Sequence, residues 1–184
     1  ACAAAKKFSV CGLNGSVTLW DMDSRALVKS DASLPSPAVA AVFSPDGTKI
    51  ALGLRKGTLH VLEVPELLLV ESIELSETLP IVDLKWSLKD VLCIAFGTTI
   101  QVIDMTWTKR ATCVCPDSIN AMDIAGEEQL VRASCDDGSL IGFDFTSGEL
   151  IENSEQLKEA NWETRTVNSA VDVQAIASSS KFSL

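Results

Sequence analysis

A period of about 40 residues is the feature that most constrains the fold of this chain. A bulky apolar residue followed by an acid recurs five residues after a position typical of a tight turn. The four copies of this signature are Trp20-Asp21, Leu62-Glu63, Ile103-Asp104 and Phe143-Asp144, and they lie 42, 41 and 40 residues apart. Regular spacing of this length predicts one supersecondary unit per repeat, each packed against its neighbours.

Each repeat contains short runs that are typical of β-strands. Runs such as "SVTLWDM", "KIALGL" and "TLHVLEV" are alternating or wholly apolar, and Gly, Pro, Asp, Asn or Ser follows each of them. Helical periodicity is scarce. Four strands in about 40 residues make one blade of a β-propeller. We therefore expect an all-β chain, a β-propeller of four-stranded antiparallel blades with about four repeat equivalents.

The positions of these runs predict the blade boundaries. We expect a partial blade over 6–31, blades over 38–75, 80–115 and 118–152, and the start of a next blade over 167–184. Both terminal segments lack strands of a complete blade, so we interpret the sequence as a fragment of a larger propeller. Because open blades expose unpaired strand edges, we expect them to be covered by self-association or by missing blades of the parent chain.

The stretches "FSPDGTKIALGLRKGTLHVLEV", "ASCDDGSLIGFDF" and "LNGSVTLWDM" resemble the WD-repeat β-propeller family. This resemblance covers residues 8–184, with a single true Trp-Asp pair and without the family's Gly-His pair. In that family a turn aspartate, a strand Ser or Thr, a histidine and a tryptophan form a buried hydrogen-bonded network. The resemblance gives Asp137 the turn position, but the one histidine, His60, lies in mid-strand, so the network is incomplete here.

A narrower resemblance covers residues 41–145. The runs "VDLKWSLKD" and "INAMDIAGEEQLVRASCDDGSLIGFDF" are similar to the propellers of echinoderm-microtubule-associated-protein-like proteins. This resemblance implies a cytoskeletal, microtubule-associated role.

The sequence contains few candidate residues for catalysis or metal binding. His60 is the one histidine, which leaves a Ser-His-Asp or Cys-His site with a single candidate base. Cys113 and Cys115 lie on the same face of a strand, where strand packing is favoured over a zinc site that needs two more soft ligands. Asp136 and Asp137 fit a β-hairpin turn better than a calcium site. We predict no catalytic residue, no metal and no cofactor.

Charge and hydropathy restrict the partners. A net charge of −10 disfavours nucleic acids and acidic membranes, and no apolar run approaches the about 20 residues of a membrane span. The six cysteines lie in or beside apolar runs, where free thiols pack as small hydrophobes, which favours a reducing compartment. We expect other proteins as partners and a cytoplasmic location, with the cytoskeleton as the site that the narrower resemblance implies.

The turns carry the remaining functional surface. In the assigned strand order, turns between second and third strands share one face with the loops that enter each inner strand, and rigid scaffolds commonly bind through such loops. The predicted partner-binding residues are Arg55, Lys56, Asp136, Asp137 and Trp162. Trp162 lies in the long insertion 153–166, and the alternative is that it folds back on a blade edge.

We therefore predict a non-catalytic protein–protein interaction scaffold of the WD-repeat type within a multi-protein assembly. The alternative is a propeller-type hydrolase with a central-tunnel active site. Such enzymes place several His, Asp or Arg side chains around the tunnel, whereas the inner strands here offer chiefly Ala, Val, Asn and Ser.

Overall fold

The structure is a computed structural model that describes residues 6–31 and 34–166. Those residues form fourteen β-strands and one short helix, so the prediction of an all-β chain is confirmed. The strands are β1 (Lys7–Cys11), β2 (Val17–Asp21), β3 (Leu27–Asp31), β4 (Ala38–Phe43), β5 (Lys49–Leu54), β6 (Thr58–Glu63), β7 (Leu69–Glu74), β8 (Ile81–Trp86), β9 (Leu92–Phe96), β10 (Thr99–Ile103), β11 (Lys109–Val114), β12 (Ile119–Ala125), β13 (Leu130–Cys135) and β14 (Leu140–Asp144). The helix is α1 (Ser154–Glu159).

The strands form four sheets in which sequence neighbours lie side by side. Their orders are β1-β2-β3, β4-β5-β6-β7, β11-β10-β9-β8 and β12-β13-β14, and the paired strands run antiparallel. Each sheet lies inside one of the segments that the 40-residue period delimits. The expected start of a next blade, 167–184, lies outside the described residues.

The chain divides into two compact units, Ala1–Trp86 and Ser87–Leu184, and each has its own core. In the first unit the core contains Val17 and Leu19 of β2 together with Ile50 and Leu52 of β5. In the second unit side chains of β9, β10 and β11 pack with those of β12, β13 and β14. Middle strands such as β5 are buried on both faces, which explains why they are continuously apolar instead of alternating.

The 40-residue period of the sequence recurs in the backbone. A left-handed residue stands in the turn before each signature strand and again three or four residues after each signature acid. The first set is Gly15, Gly57, Gly97 and Gly138, and the second is Arg25, Leu67, Trp107 and Gly148. Pairing with the following strand shifts register at the equivalent place in three sheets, at Leu19/Trp20, Val61/Leu62 and Val102/Ile103. Equivalent turns and bulges therefore accompany the equivalent side chains.

Segment 118–152 differs from the expected four strands. It forms three, and the place of the fourth holds a single bridge between Phe143 and Leu150. Asn153 then caps α1 by accepting a hydrogen bond from the Glu155 backbone N–H at 3.0 Å. Because a capped run of good helix formers follows, the chain leaves the sheet edge here. No helix in the part of the chain that the structure describes is long and apolar enough to cross a membrane.

Candidate functional site

The signature acids shape turns. Asp21, Asp104 and Asp144 each accept a hydrogen bond from a backbone N–H two or three residues later, at 2.7–2.8 Å. This is the Asx-turn arrangement, in which a short side chain substitutes for a backbone acceptor. Glu63 is one methylene longer, and the turn that follows it contains the cis peptide bond Val64-Pro65 instead. Three of the four signature acids are thus engaged in local structure.

Three of the four signature apolar residues are buried, and the fourth is half-buried. Leu62, Ile103 and Phe143 are buried in their cores. Trp20 is half-buried; its ring stacks on Phe8 with centroids 6.2 Å apart, and its Nε1 donates to a threonine hydroxyl two residues earlier at 3.0 Å. These residues hold the sheets together and face the core or a neighbouring ring.

Two turn aspartates are strongly ionised. Asp104 accepts from the Thr106 hydroxyl at 2.6 Å and from Arg110 Nε at 2.6 Å. These contacts, the threonine hydroxyl first, lower the pKa of Asp104 to about 2. The Ser44 hydroxyl donates to Asp46 at 2.6 Å and is the largest cause that lowers the pKa of Asp46 to about 2. Carboxylates held in this state at neutral pH stabilise turns and do not donate protons.

The remaining titratable candidates are core residues. His60 is buried in β6, and burial lowers its pKa, which keeps the imidazole neutral. Burial also raises the pKa of the Cys115 thiol and that of Cys113, the latter to about 12. Thiols in this state are poor nucleophiles. Within 6–31 and 34–166 no group of three His, Cys, Asp or Glu side chains is arranged to hold a metal ion.

Arg55 and Lys56 form the exposed turn between β5 and β6. The Arg55 backbone N–H donates to the Pro37 carbonyl at 2.9 Å, and the Gly57 carbonyl accepts from the Ser76 N–H at 3.3 Å. The turn is therefore bonded to the loops that precede β4 and β8, as the strand order predicts. We call residues 34–37, 55–57 and 75–79 the first rim.

Close backbone packing fixes the first rim. Gly57 has φ of +76°, and a Cβ there would contact the carbonyl oxygens of Ser76 and Leu79. Only glycine suits this position, because both the backbone conformation and the space exclude a side chain. The adjacent Arg55 and Lys56 side chains form no ion pair with another residue that the structure describes. Their positive charges are exposed on a rigid turn.

Asp136 and Asp137 occupy the equivalent turn between β13 and β14 in the second unit. The Asp136 N–H donates to the Ser118 carbonyl at 2.9 Å, and Asp137 accepts from the Ser139 N–H at 2.8 Å. Both aspartates are exposed. We call residues 97–98, 115–118 and 136–138 the second rim; its turn between β13 and β14 carries two acids where the equivalent turn of the first rim carries two bases.

Trp162 lies against the last described sheet. It is half-buried, its indole N–H donates to the Leu157 carbonyl at 3.0 Å, and the Arg132 guanidinium lies 4.2 Å from the centre of its ring. Leu157 is buried against Ala125 and Leu130. Insertion 153–166 therefore folds back onto the sheet, the alternative given for it; binding of a partner through Trp162 stays a prediction.

Sequence reasoning missed a buried ion pair. Asp123 is fully buried and its Oδ2 lies 3.1 Å from Arg132 Nη2. The two residues are direct partners in the β12–β13 register. The signal was present in the sequence, because opposite charges in two apolar runs lie at equal distances from the intervening Gly126–Gln129 turn. A hairpin alignment of the two runs would have found the pair.

A groove of about 710 Å³ lies in the second unit at the end opposite the second rim. Val102, Met105 and Phe145 contribute apolar surface to it. Its two cations, Lys89 and Arg110, are already paired with acids at 3.0 and 2.6 Å. Both of its cations are therefore paired within the chain.

Comparison with known proteins gives a likeness of fold. No model of a known protein family matches the sequence. The chain is similar to the crystal structure of the computationally designed Ika8 protein, with a TM-score of 0.70 and 17% sequence identity. The match covers 79% of this chain and 45% of that one, so this chain spans less than half the length of the designed protein. At this identity the likeness shows a shared fold alone.

Proposed function

We propose that the chain supplies blades of a WD-repeat β-propeller and acts as a non-catalytic protein–protein interaction scaffold. The observation that carries the proposal is the pair of rims, where exposed charged side chains stand on turns bonded to neighbouring loops. A rigid frame that presents varied loop side chains is the usual design of a binding platform. Preorganised turns also reduce the entropy lost on binding.

The repeated backbone supports the propeller part of the proposal. Each sheet is an antiparallel meander, and left-handed turn residues and strand bulges recur at the 40-residue period. Sheets built alike and repeated along a chain are expected of propeller blades.

The chemistry of the acids favours a scaffold over the alternative hydrolase. Asp46 and Asp104 are engaged by turn donors, and Asp123 is ion-paired inside a sheet. His60 is enclosed in a strand. Groups held in such contacts are not free to exchange protons with a substrate, which hydrolysis by general acid–base catalysis requires.

The charges of the rims indicate the chemistry of the partners. Arg55 and Lys56 suit an acidic segment, and Asp136 and Asp137 suit a basic one, because complementary charge steers association and fixes orientation. We place the scaffold in the cytoplasm, and a cytoskeletal assembly is the partner class that the resemblance of residues 41–145 implies.

Affinity capture from a cytosolic extract tests the proposal. The wild-type chain is compared with R55E/K56E and with the charge-matched control R25E/K29E, whose residues are exposed outside the first rim. We expect the rim variant to capture a defined set of proteins in amounts about tenfold or more below those captured by the wild-type chain. The control should capture them in wild-type amounts, as measured by quantitative mass spectrometry. Equal capture by both variants, or equal loss in both, would overturn the proposal.

A further inference from the structure

The free edge of β12 is covered by residues 161–166, which we call the return segment. β12 is an edge strand of its sheet, paired on one side with β13. On the other side the Glu163 N–H donates to the Ile124 carbonyl at 2.8 Å, and the Ile124 N–H donates to Thr164 Oγ1 at 3.2 Å. The segment thus satisfies both backbone groups of Ile124, as an added strand would.

An aromatic side chain is recognised beside this edge. The Trp162 ring packs 4.2 Å from the guanidinium carbon of Arg132. Arg132 is 6% exposed and is oriented by the fully buried Asp123. A guanidinium fixed in this way offers a preformed cation–π surface.

A carboxylate is recognised by two backbone N–H groups. Glu163 Oε1 accepts from the Gly126 N–H at 3.0 Å, and Oε2 accepts from the Leu88 N–H at 3.1 Å. The two donors belong to turns that precede β9 and β13. A Cβ on Gly126 would contact both Ser87 Oγ and the Glu163 carboxylate, so glycine permits the close approach. Hydrogen bonds to an ionised acceptor are the stronger kind.

A hydroxyl and a following backbone N–H are recognised by Asp123. Its Oδ1 accepts from Thr164 Oγ1 at 3.0 Å and from the Thr166 N–H at 2.6 Å. One buried carboxylate therefore orients Arg132 for the aromatic ring and binds the hydroxyl two residues later in the segment.

We propose that the β12 edge is a binding site for extended peptides with consecutive aromatic, acidic and hydroxyl side chains, and that the return segment occupies it as a tethered ligand. Strand addition supplies the main-chain contacts, and the three adjoining groups supply specificity. A tethered ligand acts at millimolar effective concentration, so a separate peptide gains access only when the return segment is weakened. This site lies on a sheet edge and does not depend on the rims.

A peptide in trans tests the proposal. The probe is a fluorescein-labelled peptide with the sequence ANWETRT, residues 160–166, titrated against the full chain carrying W162A/E163Q/T164A. We expect a Kd on the order of 100 µM or tighter for this variant and binding at least about tenfold weaker for the wild-type chain. A peptide with Gln in place of the Glu should bind the variant about tenfold more weakly, because it loses the charge.

Two controls keep the test decisive. A scrambled peptide of the same composition should not bind; if it binds as tightly, or if the folded variant binds neither peptide, the proposal fails. Should the triple variant not fold, E163A alone is examined by amide hydrogen exchange. Faster exchange at Gly126 and Leu88 supports the assigned contact, whereas unchanged exchange at both overturns it. A negative result leaves the rim proposal intact, since no rim residue enters this experiment.

Discussion

Asp46 illustrates how a single charged side chain organises a turn of this chain. It accepts from the hydroxyls of Ser44 and Thr48 and from the Thr48 N–H at distances between 2.6 and 3.0 Å. The sequence "SPDG" predicted a turn, but only the structure shows how many donors converge on one carboxylate. That number depends on hydroxyl rotamers that are set by the folded backbone.

Acid should weaken the chain through Asp46. Its pKa of about 2 in the folded state lies below the ordinary value of 3.8, so folding favours the ionised form. The corresponding stability is present above about pH 4 and is lost as the pH falls through about 2. Because the side chain is exposed and screened by solvent, we expect D46A to lower the unfolding free energy at pH 7 by only about 1 kcal/mol.

Urea unfolding at pH 7, 4 and 2.5 measures this contribution. D46N keeps an acceptor oxygen but has no charge. The difference in unfolding free energy between wild type and D46N should be smaller at pH 2.5 than at pH 4. A difference that stays constant over this range would show that the charge of Asp46 contributes nothing.

The Ile81 side chain leaves no space for a larger residue at position 53. A Cβ at this position would lie 2.5 Å from Ile81 Cγ2 and 2.9 Å from Ile81 Cβ. We expect G53A to destabilise the first unit by about 1–3 kcal/mol through overpacking, and to cost less in an I81A background, where the clashing Cγ2 is absent. Thermal unfolding of G53A, I81A and the double variant checks this; independent, additive effects would contradict it.

Among the secondary-structure elements, helix α1 depends on tertiary packing for its stability. Leu157 is 5% exposed, and a Cβ on Gly142 of β14 would meet Cδ1, Cδ2 and Cγ of the leucine side chain. The run "NSEQLKE" contains a cap and helix formers, yet six residues are too few for helical periodicity to emerge. The strands were predictable because they alternate or are wholly apolar over their own length. The helix was missed because its stability comes from the sheet beneath it.

A double-mutant cycle measures that packing. We expect L157A to cost about 2–4 kcal/mol by leaving a cavity and G142A to cost about 1–3 kcal/mol by displacing the leucine. Since the alanine methyl at residue 142 fills space that L157A vacates, the double variant should lose less than the sum by about 0.5 kcal/mol or more. Urea unfolding gives the three values; strict additivity would mean that Leu157 does not rest on Gly142.

Only the local part of the candidate site was predictable from the sequence. Arg55, Lys56, Asp136 and Asp137 were placed on turns because turn chemistry is local. Contacts made by Glu163 join residues 37 and 75 positions apart, and no local pattern encodes them. Sequence alone therefore located the rims and not the β12 edge site.

In the molecule as a whole, the reactivity of the cysteines reports whether the core of the second unit is closed. Cys93, Cys113, Cys115 and Cys135 all belong to one core, and Cys11 lies in the first unit. Burial raises the pKa of Cys93, Cys113 and Cys115, so these thiols are unreactive while the core is closed.

Pulsed thiol alkylation along a urea gradient tests this view. We expect the four core cysteines to become reactive together at one urea concentration, as resolved by peptide mass spectrometry. Labelling of any of the four in native buffer, at the rate of an exposed thiol, would contradict the shared core.

The all-β architecture predicts the far-ultraviolet circular dichroism of the full chain. Because strands dominate the described residues, the spectrum should be of the β type with less than about a quarter helix. A helix content at or above the average for globular proteins would contradict the fold.

Amide hydrogen exchange of the free chain and of its affinity-purified complex tests whether partner proteins bind the rims of the β scaffold. We expect slower exchange in the complex at residues 55–57 and 75–79 or at 97–98, 115–118 and 136–138, with the amides inside β5 and β13 unchanged. Unchanged exchange at both rims, with protection confined to the turns at the opposite ends of the sheets, would contradict it.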